Sequence, residues 1–162
     1  FVEFVEFFPG QSYRAVGNFT TANVAMQRAV FEGGPRFDTR FWPGEDRLLA
    51  QQLRARHPIQ FAPRLHVRHI NRTTWPAVAQ HARRLGASSA RIRRQAEALH
   101  GSFLVRWPLL VAVTPFYRSG RLLLAVLRRN RNYAGRALRL LPRVFGLHMQ
   151  WACGFYSGAT RP

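Results

Sequence analysis

Two adjacent carboxylates, Glu45 and Asp46, follow a Trp-Pro-Gly turn at residues 42–44 and open a segment with helical apolar spacing, predicted to run to about Arg56. Acidic residues in a first helical turn are stabilised by the backbone dipole. A carboxylate held there could take a proton from an incoming hydroxyl group. A general base at one of these two carboxylates is one interpretation of the pattern, and simple capping of the helix is the other.

Small and β-branched residues lie between Asn18 and Asn23. They predict a short strand near residues 19–22, followed by a helix around residues 26–31 that carries Arg28. Small residues allow a backbone to approach a ligand closely. An ordinary polar turn, with Arg28 in solvent, is the alternative.

Further elements are predicted downstream from apolar runs and breakers. Residues 59–61 and 65–70 are strand candidates separated by a proline. Helices are expected from Thr73 or Thr74 to residue 85, and from Ser88 or Ser89 to about residue 100, with Gly86 between them.

Charge divides the chain into two parts. Residues 1–60 have a net charge of +1, whereas residues 61–162 hold eighteen arginines and one acid, Glu97, for a net charge of +17. Such a segment is expected to bind an anionic surface. Cys153 is the only cysteine, which excludes a disulfide framework and a thiolate metal cluster within the chain.

Apolar stretches at residues 103–116, 122–127 and 137–156 are interrupted by arginine and proline. A membrane-spanning helix needs about 20 mostly apolar residues, and each arginine at mid-bilayer costs about 2.5–3.5 kcal/mol. Placement at the membrane interface avoids that cost, because arginines meet lipid phosphates there. Interfacial helices are therefore the preferred prediction; spanning helices and packing in water remain as alternatives.

Five short motifs in a set order carry a family resemblance. Starting at residues 17, 31, 43, 58 and 67, they read GNFTTANVAMQR, FEGGPRFD, PGEDRLLAQQL, PIQFAP and VRH. This order and spacing resembles the second half of the catalytic domain of family-2 glycosyltransferases. The resemblance implies an α/β fold: the C-terminal half of a doubly wound GT-A domain in residues 1–100, followed by basic amphipathic helices in residues 101–162.

The resemblance also implies an activity. Such enzymes transfer a sugar, with inversion, from a nucleotide-diphosphate sugar to a hydroxyl of a glycan or lipid-linked acceptor. Asp46 would be the general base, and Glu45 would help to position the acceptor. The remaining implied roles are substrate binding by Asn18, Asn23, Arg28 and Gly44, and contact with the donor diphosphate or its metal by His69. In the loop at residues 31–38, Phe37 is expected in the core and Asp38 is expected to hold the loop.

Two family motifs do not occur in the sequence. Without a D-x-D motif and upstream strands, a divalent cation (Mg or Mn) and the nucleotide would be bound mostly by a missing N-terminal half. The chain is therefore expected to be a fragment or a truncated gene product that is inactive alone. The lack of a Q-x-x-R-W motif favours transfer of one sugar, without processivity. The expected location is the cytoplasmic face of the cell membrane.

A non-catalytic basic protein is the competing hypothesis. Aromatic residues among arginines could stack on nucleic-acid bases, and the tail alone could anchor the chain to a membrane. The arginines lie beside long apolar stretches and no zinc-finger spacing occurs, so no nucleic-acid partner is expected.

Overall fold

The computed structural model describes residues 12–32, 34–67, 70, 72–95, 101–129 and 131–161. These residues form two compact units, one within residues 12–70 and the other within residues 72–161. The helical unit thus includes the helix at residues 75–95, which the sequence analysis grouped with residues 1–100.

The first unit is built around one short helix and one small sheet. Strand β1 (Arg14–Ala15) pairs antiparallel with β2 (Gln60–Phe61), with Arg14 opposite Phe61. Helix α1 covers Glu45–Leu53. Single 3-10 turns occur at Arg28–Phe31 and Thr39–Phe41.

A small apolar core holds this unit together. Phe19 packs with Leu49, Ala50 and Leu53, which lie on one face of α1. None of these four side chains is more than 8% exposed. Their spacing places one side chain per helical turn against the same neighbour. The half-buried residues around this cluster are Val24, Met26, Val30, Phe31 and Ile59. The core therefore fixes the segment after β1 against α1.

The second unit is entirely helical across its described residues. Its helices are α2 (Trp75–Gln95), α3 (Phe103–Arg106), α4 (Thr114–Arg129) and α5 (Ala134–Thr160). Two 3-10 segments, Pro108–Val113 and Arg131–Tyr133, connect them. Its core cluster consists of Ala90, Val111, Ala152 and Phe155.

Helices α2 and α5 approach so closely that glycine is required at the contact. A Cβ at Gly154 would collide with the Arg83 carbonyl oxygen, and one at Gly158 would lie 2.6 Å from the Ala87 carbonyl oxygen. Gly86 of α2 is restricted in the same way, since a Cβ there would lie 2.8 Å from the Phe155 nitrogen. Gly154 and Gly158 are four residues apart, which puts both on one helical face. Gly154 faces Arg83 and Gly158 faces Ala87, so residue numbers at the contact increase together along both helices. Helices α2 and α5 are therefore parallel.

Polar contacts complete the packing on α5. Arg94 Nη2 donates to the carbonyl oxygens of Gly158, Ala159 and Arg161 at 2.8, 2.9 and 3.1 Å, which satisfies the last turn of α5. On α4, the buried Ser119 hydroxyl lies 2.9 Å from His148 Nδ1 of α5. Burial, together with the nearby Arg118 charge, lowers the pKa of His148 to about 4, so this histidine is neutral at neutral pH.

The predicted α/β, doubly wound GT-A half-domain is wrong for this chain. Across the described residues the protein is 66% helical, with five α-helices and one two-stranded sheet. Residues 19–22 form a turn, not a strand, and residues 65–67 pair with no other strand in the described part. β-branched residues favour strands only where neighbouring strands cover them, and each strand here pairs over two residues.

Helix predictions were more accurate than strand predictions. Helix α1 begins at Glu45 as expected and ends at Leu53, three residues before the predicted end. The two helices expected on either side of Gly86 are one helix, α2. A glycine often ends a helix, but here it lies buried at the contact with α5, and packing there offsets its low propensity.

Replacing Gly154 with alanine tests the importance of this contact. We expect Gly154→Ala to lower the free energy of unfolding by about 1–3 kcal/mol, the usual cost of overpacking, because α2 and α5 must separate. Gly120→Ala in α4 is the matched control: no atom lies within 4 Å of its Cβ position, so helix propensity alone should raise stability by about 0.5–1 kcal/mol. Urea unfolding followed by circular dichroism measures both. Equal effects of the two substitutions would contradict the close approach.

Candidate functional site

The residues with the strongest sequence signal lie at the start of α1. Gly44 precedes the helix and has a φ of 130°, a backbone conformation that residues other than glycine rarely adopt. Its carbonyl oxygen accepts from Arg47 N at 3.1 Å and from Leu48 N at 3.3 Å. The glycine therefore lets the chain turn sharply and enter the helix, which sets the direction in which Glu45 and Asp46 project.

Asp46 is held by two backbone amides from different parts of the chain. Its Oδ1 accepts from Arg47 N at 2.7 Å, and its Oδ2 accepts from Thr21 N at 3.4 Å, a long and weak hydrogen bond. Each carboxylate oxygen can accept more than one hydrogen bond, so both keep acceptor capacity for a ligand hydroxyl. The side chain is oriented yet only partly covered.

The turn that covers Asp46 is closed by its own hydrogen bonds. Asn23 N donates to the Thr20 carbonyl oxygen at 3.2 Å, and Ala22 N donates to Thr20 Oγ1 at 3.1 Å. Phe19, immediately before the turn, is buried against α1. The apolar core thus brings residues 20–23 over the first turn of the helix, although Thr21 and Asp46 are 25 positions apart.

Partial burial controls the acidity of Asp46. Loss of solvation raises the pKa of the Asp46 carboxyl group, and the Glu45 charge acts in the same direction. The amides of Arg47 and Thr21 and the Arg47 charge oppose this, but burial is the larger effect. A carboxylate with a raised pKa is a stronger base when ionised, as proton abstraction from a hydroxyl group requires.

Glu45 contributes to the same turn in a different way. Its Oε2 accepts from Gly44 N at 2.8 Å, so the carboxylate is engaged with the backbone of the turn itself. The Trp42–Pro43 peptide bond that leads into this turn is cis. Glu45 therefore supports the glycine turn and raises the basicity of its neighbour.

Of the other predicted site residues, Gly44 and Asn23 lie in the two turns that flank Asp46. Asn23 Nδ2 donates to the Leu65 carbonyl oxygen at 3.0 Å, which joins its turn to the segment after β2. Asn18 and Arg28 are exposed, and among the described contacts neither reaches the carboxylate. His69 lies outside the described residues, so its predicted ligand role stays a prediction.

The predicted loop around Asp38 differs in part from expectation. Asp38 accepts from Arg40 N at 3.1 Å, and Arg40 Nη2 lies 2.6 Å from its Oδ2, so this carboxylate does hold the loop. Phe37 is 43% exposed, and the prediction of a core position was wrong; its ring meets Phe31 at 6.3 Å. The side-chain hydrogen bond from Arg40 keeps the pKa of Asp38 below its usual range.

The described residues do not supply a metal site. No group of three or more His, Cys, Asp or Glu side chains within them could hold a metal ion.

Comparison with protein-family models, curated protein sequences and solved structures found no match to this chain.

Sequence reasoning missed two features of the molecule. One is the Thr21 amide at Asp46, whose only sequence signal is the small-residue run itself. The other is the buried pair of Ser119 and His148 between α4 and α5, for which apolar spacing offered no signal, since both residues are polar.

The raised pKa of Asp46 has a consequence for stability. Because the folded state holds the proton more tightly than the unfolded chain, the ionised carboxylate lowers stability once the pH rises through its raised pKa. We expect Asp46→Asn to unfold at higher urea than the parent at neutral pH, and the difference to vanish in acid, where Asp46 is protonated.

Asp38→Asn is the control with the opposite sign. The pKa of Asp38 is lowered, so its ionised form stabilises the fold above the ordinary carboxyl pKa, and that contribution disappears as the pH falls through the lowered value. The control should unfold at lower urea than the parent at neutral pH. Urea titrations at neutral and acid pH measure both variants, and a loss of stability in Asp46→Asn would contradict the burial argument.

Proposed function

We propose that residues 12–70 carry the acceptor-side base of an inverting sugar transferase. The observation that supports this most directly is the oriented, partly buried Asp46 with a raised pKa at the start of α1. Asp46 also lies within the five ordered motifs that resemble family-2 glycosyltransferases, and this resemblance is the basis for proposing sugar transfer as the reaction. The proposal concerns the acceptor side; the nucleotide would be bound by other residues, since no D-x-D sequence occurs in the chain.

In the proposed reaction, an acceptor hydroxyl group hydrogen-bonds to Asp46. Its oxygen attacks the anomeric carbon of a nucleotide-diphosphate sugar from the face opposite the diphosphate. The new C–O bond forms as the bond to the diphosphate oxygen breaks, and the configuration inverts. The hydroxyl proton passes to the Asp46 carboxylate, and the nucleoside diphosphate leaves with the bonding electron pair.

Asp46 and Glu45 have different parts in this scheme. Asp46 contacts the reacting hydroxyl group, and its two backbone donors fix the direction from which the proton is taken. Glu45 acts through the Gly44 turn and through its charge, which keeps Asp46 basic. Asn18 and Arg28 are exposed on the same unit and stay predicted contacts to substrate.

The test is a carboxylate-to-amide substitution. In membranes that contain the protein together with the part of the enzyme that binds the nucleotide, supplied with labelled nucleotide-diphosphate sugars, we expect Asp46→Asn to lower the transfer rate by about 10²–10⁴-fold, the usual contribution of a general base. Donor binding should be retained. Mass spectrometry of the glycosylated product and equilibrium binding of the donor separate the two effects.

Glu32→Gln is the matched control for this test. It makes the same chemical change at an exposed carboxylate outside the turn, and transfer should be unchanged. Parent-like turnover in Asp46→Asn, or an equal loss in Glu32→Gln, would rule out the base assignment.

We also propose that the helical unit associates with an anionic membrane surface, at the cytoplasmic face. An apolar strip, defined here as Trp107, Leu109, Leu110, Val113, Phe116 and Tyr117, is exposed; Leu109 is 76% and Phe116 66% exposed. Patches of this kind on a protein surface mark interaction sites. Arg106 and Arg118 flank the strip in the sequence, and Glu97 is the only acid after Asp46. Apolar side chains and arginines together suit the lipid headgroup boundary.

Interfacial placement agrees better with the sequence of this segment than spanning does. Among the described residues, Pro108–Arg128 is the one helical stretch whose length and composition would permit a membrane span, and 28% of its window is buried. Arg118 lies at the middle of this stretch, with its guanidinium carbon 4.3 Å from the Trp151 ring centroid. An arginine at mid-bilayer costs about 2.5–3.5 kcal/mol, and Arg121 would add to that cost.

Vesicle flotation tests the membrane proposal. We expect binding to vesicles that contain phosphatidylglycerol, weaker binding to phosphatidylcholine alone, and a loss of about tenfold or more in Leu109→Asp, because burial of a leucine contributes about 1.5–3 kcal/mol. Leu65→Asp adds the same charge at a leucine that is 59% exposed in the other unit, and should bind normally. Equal loss in both variants, or salt-sensitive binding to DNA in place of vesicles, would favour a general basic protein.

A further inference from the structure

A groove of about 480 Å³ crosses the helical unit. Its walls come from α2, the 3-10 segment Pro108–Val113 and α5, so it lies wholly within residues 72–161. Cavities of this size are typical of small-ligand sites. The apolar residues that line it are Pro108, Leu109, Val111, Ala112, Met149 and Ala152.

The close helix approach explains why the groove is there. Gly154 and Gly86 draw the backbones of α2 and α5 together, and Ala152 adds only a methyl group to the α5 surface. The segment Pro108–Val113 packs onto α5 through Val111, which is 4% exposed, while Leu109 projects outward. Ala112 and Ala152 leave room within the groove, and the unbranched, adaptable side chain of Met149 in its wall suits a slender apolar ligand.

Two cations also line this apolar groove. Arg83 and Arg161 are both exposed residues of its wall, with the hydroxyl-bearing Ser157 and Thr160 beside them. No acidic residue lies among the described residues of 72–161, so no carboxylate there can neutralise these arginines. Arginine binds phosphate through parallel N–H donors. The groove therefore combines an apolar channel with a site for an anion.

We infer that this groove binds a single lipid phosphate, with the hydrocarbon chain along Pro108, Met149 and Ala152 and the phosphate at Arg83 and Arg161. Charge complementarity selects this occupant over a neutral lipid, and the apolar lining selects it over a free phosphate or a sugar. Leu109 belongs to both the groove and the apolar strip, which links the groove to the surface proposed to meet the membrane. The inference adds a specific ligand to the proposed membrane association and to the proposed lipid-linked acceptor. Its test requires neither of those proposals to be correct.

Cys153 provides a reporter, since it is the only cysteine of the chain, is exposed and lines the groove. The intact chain in detergent-free buffer is treated with a maleimide, and the rate of Cys153 alkylation is followed by mass spectrometry. Dodecyl phosphate below its micelle concentration is the probe. We expect it to slow alkylation by about tenfold or more, since a ligand in such a pocket has most of its surface buried and so covers the wall.

The charge requirement is tested with a paired substitution. Arg83→Gln with Arg161→Gln should raise the dodecyl phosphate concentration for half-protection by about tenfold or more, because hydrogen bonds to charged groups contribute about 1.5–3 kcal/mol. Arg136→Gln with Arg139→Gln removes the same charge at exposed α5 residues outside the groove and should leave protection unchanged. Circular dichroism confirms that each variant retains its helices.

Four results would overturn the inference. They are no protection by dodecyl phosphate, equal protection by the neutral dodecyl maltoside, equal loss of protection in the two double variants, and protection by inorganic phosphate alone. The last result would show an anion site without a lipid requirement. The probe is monomeric, so this experiment is independent of vesicle binding. No protection together with normal vesicle flotation would reject the lipid-phosphate site and leave the membrane proposal standing. Neither experiment depends on sugar transfer by Asp46.

Discussion

The backbone-to-backbone contact of α2 and α5 is the constraint on which the helical unit depends. Gly86, Gly154 and Gly158 remove the side chains that would hold the helices apart, and each added Cβ would meet a carbonyl oxygen or amide of the partner helix. Close approach increases dispersion contacts along the whole interface. Phe155 is fully buried beside this contact, and Arg94 reaches the end of α5 because the two helices run together. The groove is lined by Arg83 of α2 and by Ala152 of α5, so it borders both helices.

The smaller unit holds the Asp46 carboxylate in a set direction and leaves it only partly buried. Phe19 provides the apolar anchor, and the turn that follows places the Thr21 amide at Asp46. Burial raises the pKa of Asp46, and the amides limit that rise while fixing the orientation. The raised pKa predicts a cost in stability at neutral pH, and the proposed role of Asp46 as a general base agrees with such a cost.

Charge is the most distinctive feature of the helical part of the sequence. Residues 61–162 hold eighteen arginines, and Glu97 is the one acid among them. An uncompensated charge of this size repels itself unless an anion is bound. Arg94 and Arg118 have structural roles, at the end of α5 and over Trp151 respectively. Arg83 and Arg161, by contrast, are exposed and line the groove, where we propose that they contact an anionic ligand.

The amino-acid sequence alone determined the charge division, the start of α1 at Glu45 and the placement of a carboxylate after the Gly44 turn. These depend on local rules, since acids and glycine act within one helical turn of their own position. Only the tertiary structure decided the fold class and the continuity of α2 through Gly86, because β-branched runs and glycines take their conformation from what packs on them. The tertiary structure also decided that the Thr21 amide donates to Asp46, which is 25 positions away in the sequence. This contact depends on burial of Phe19 against α1, and no spacing in the sequence indicates it.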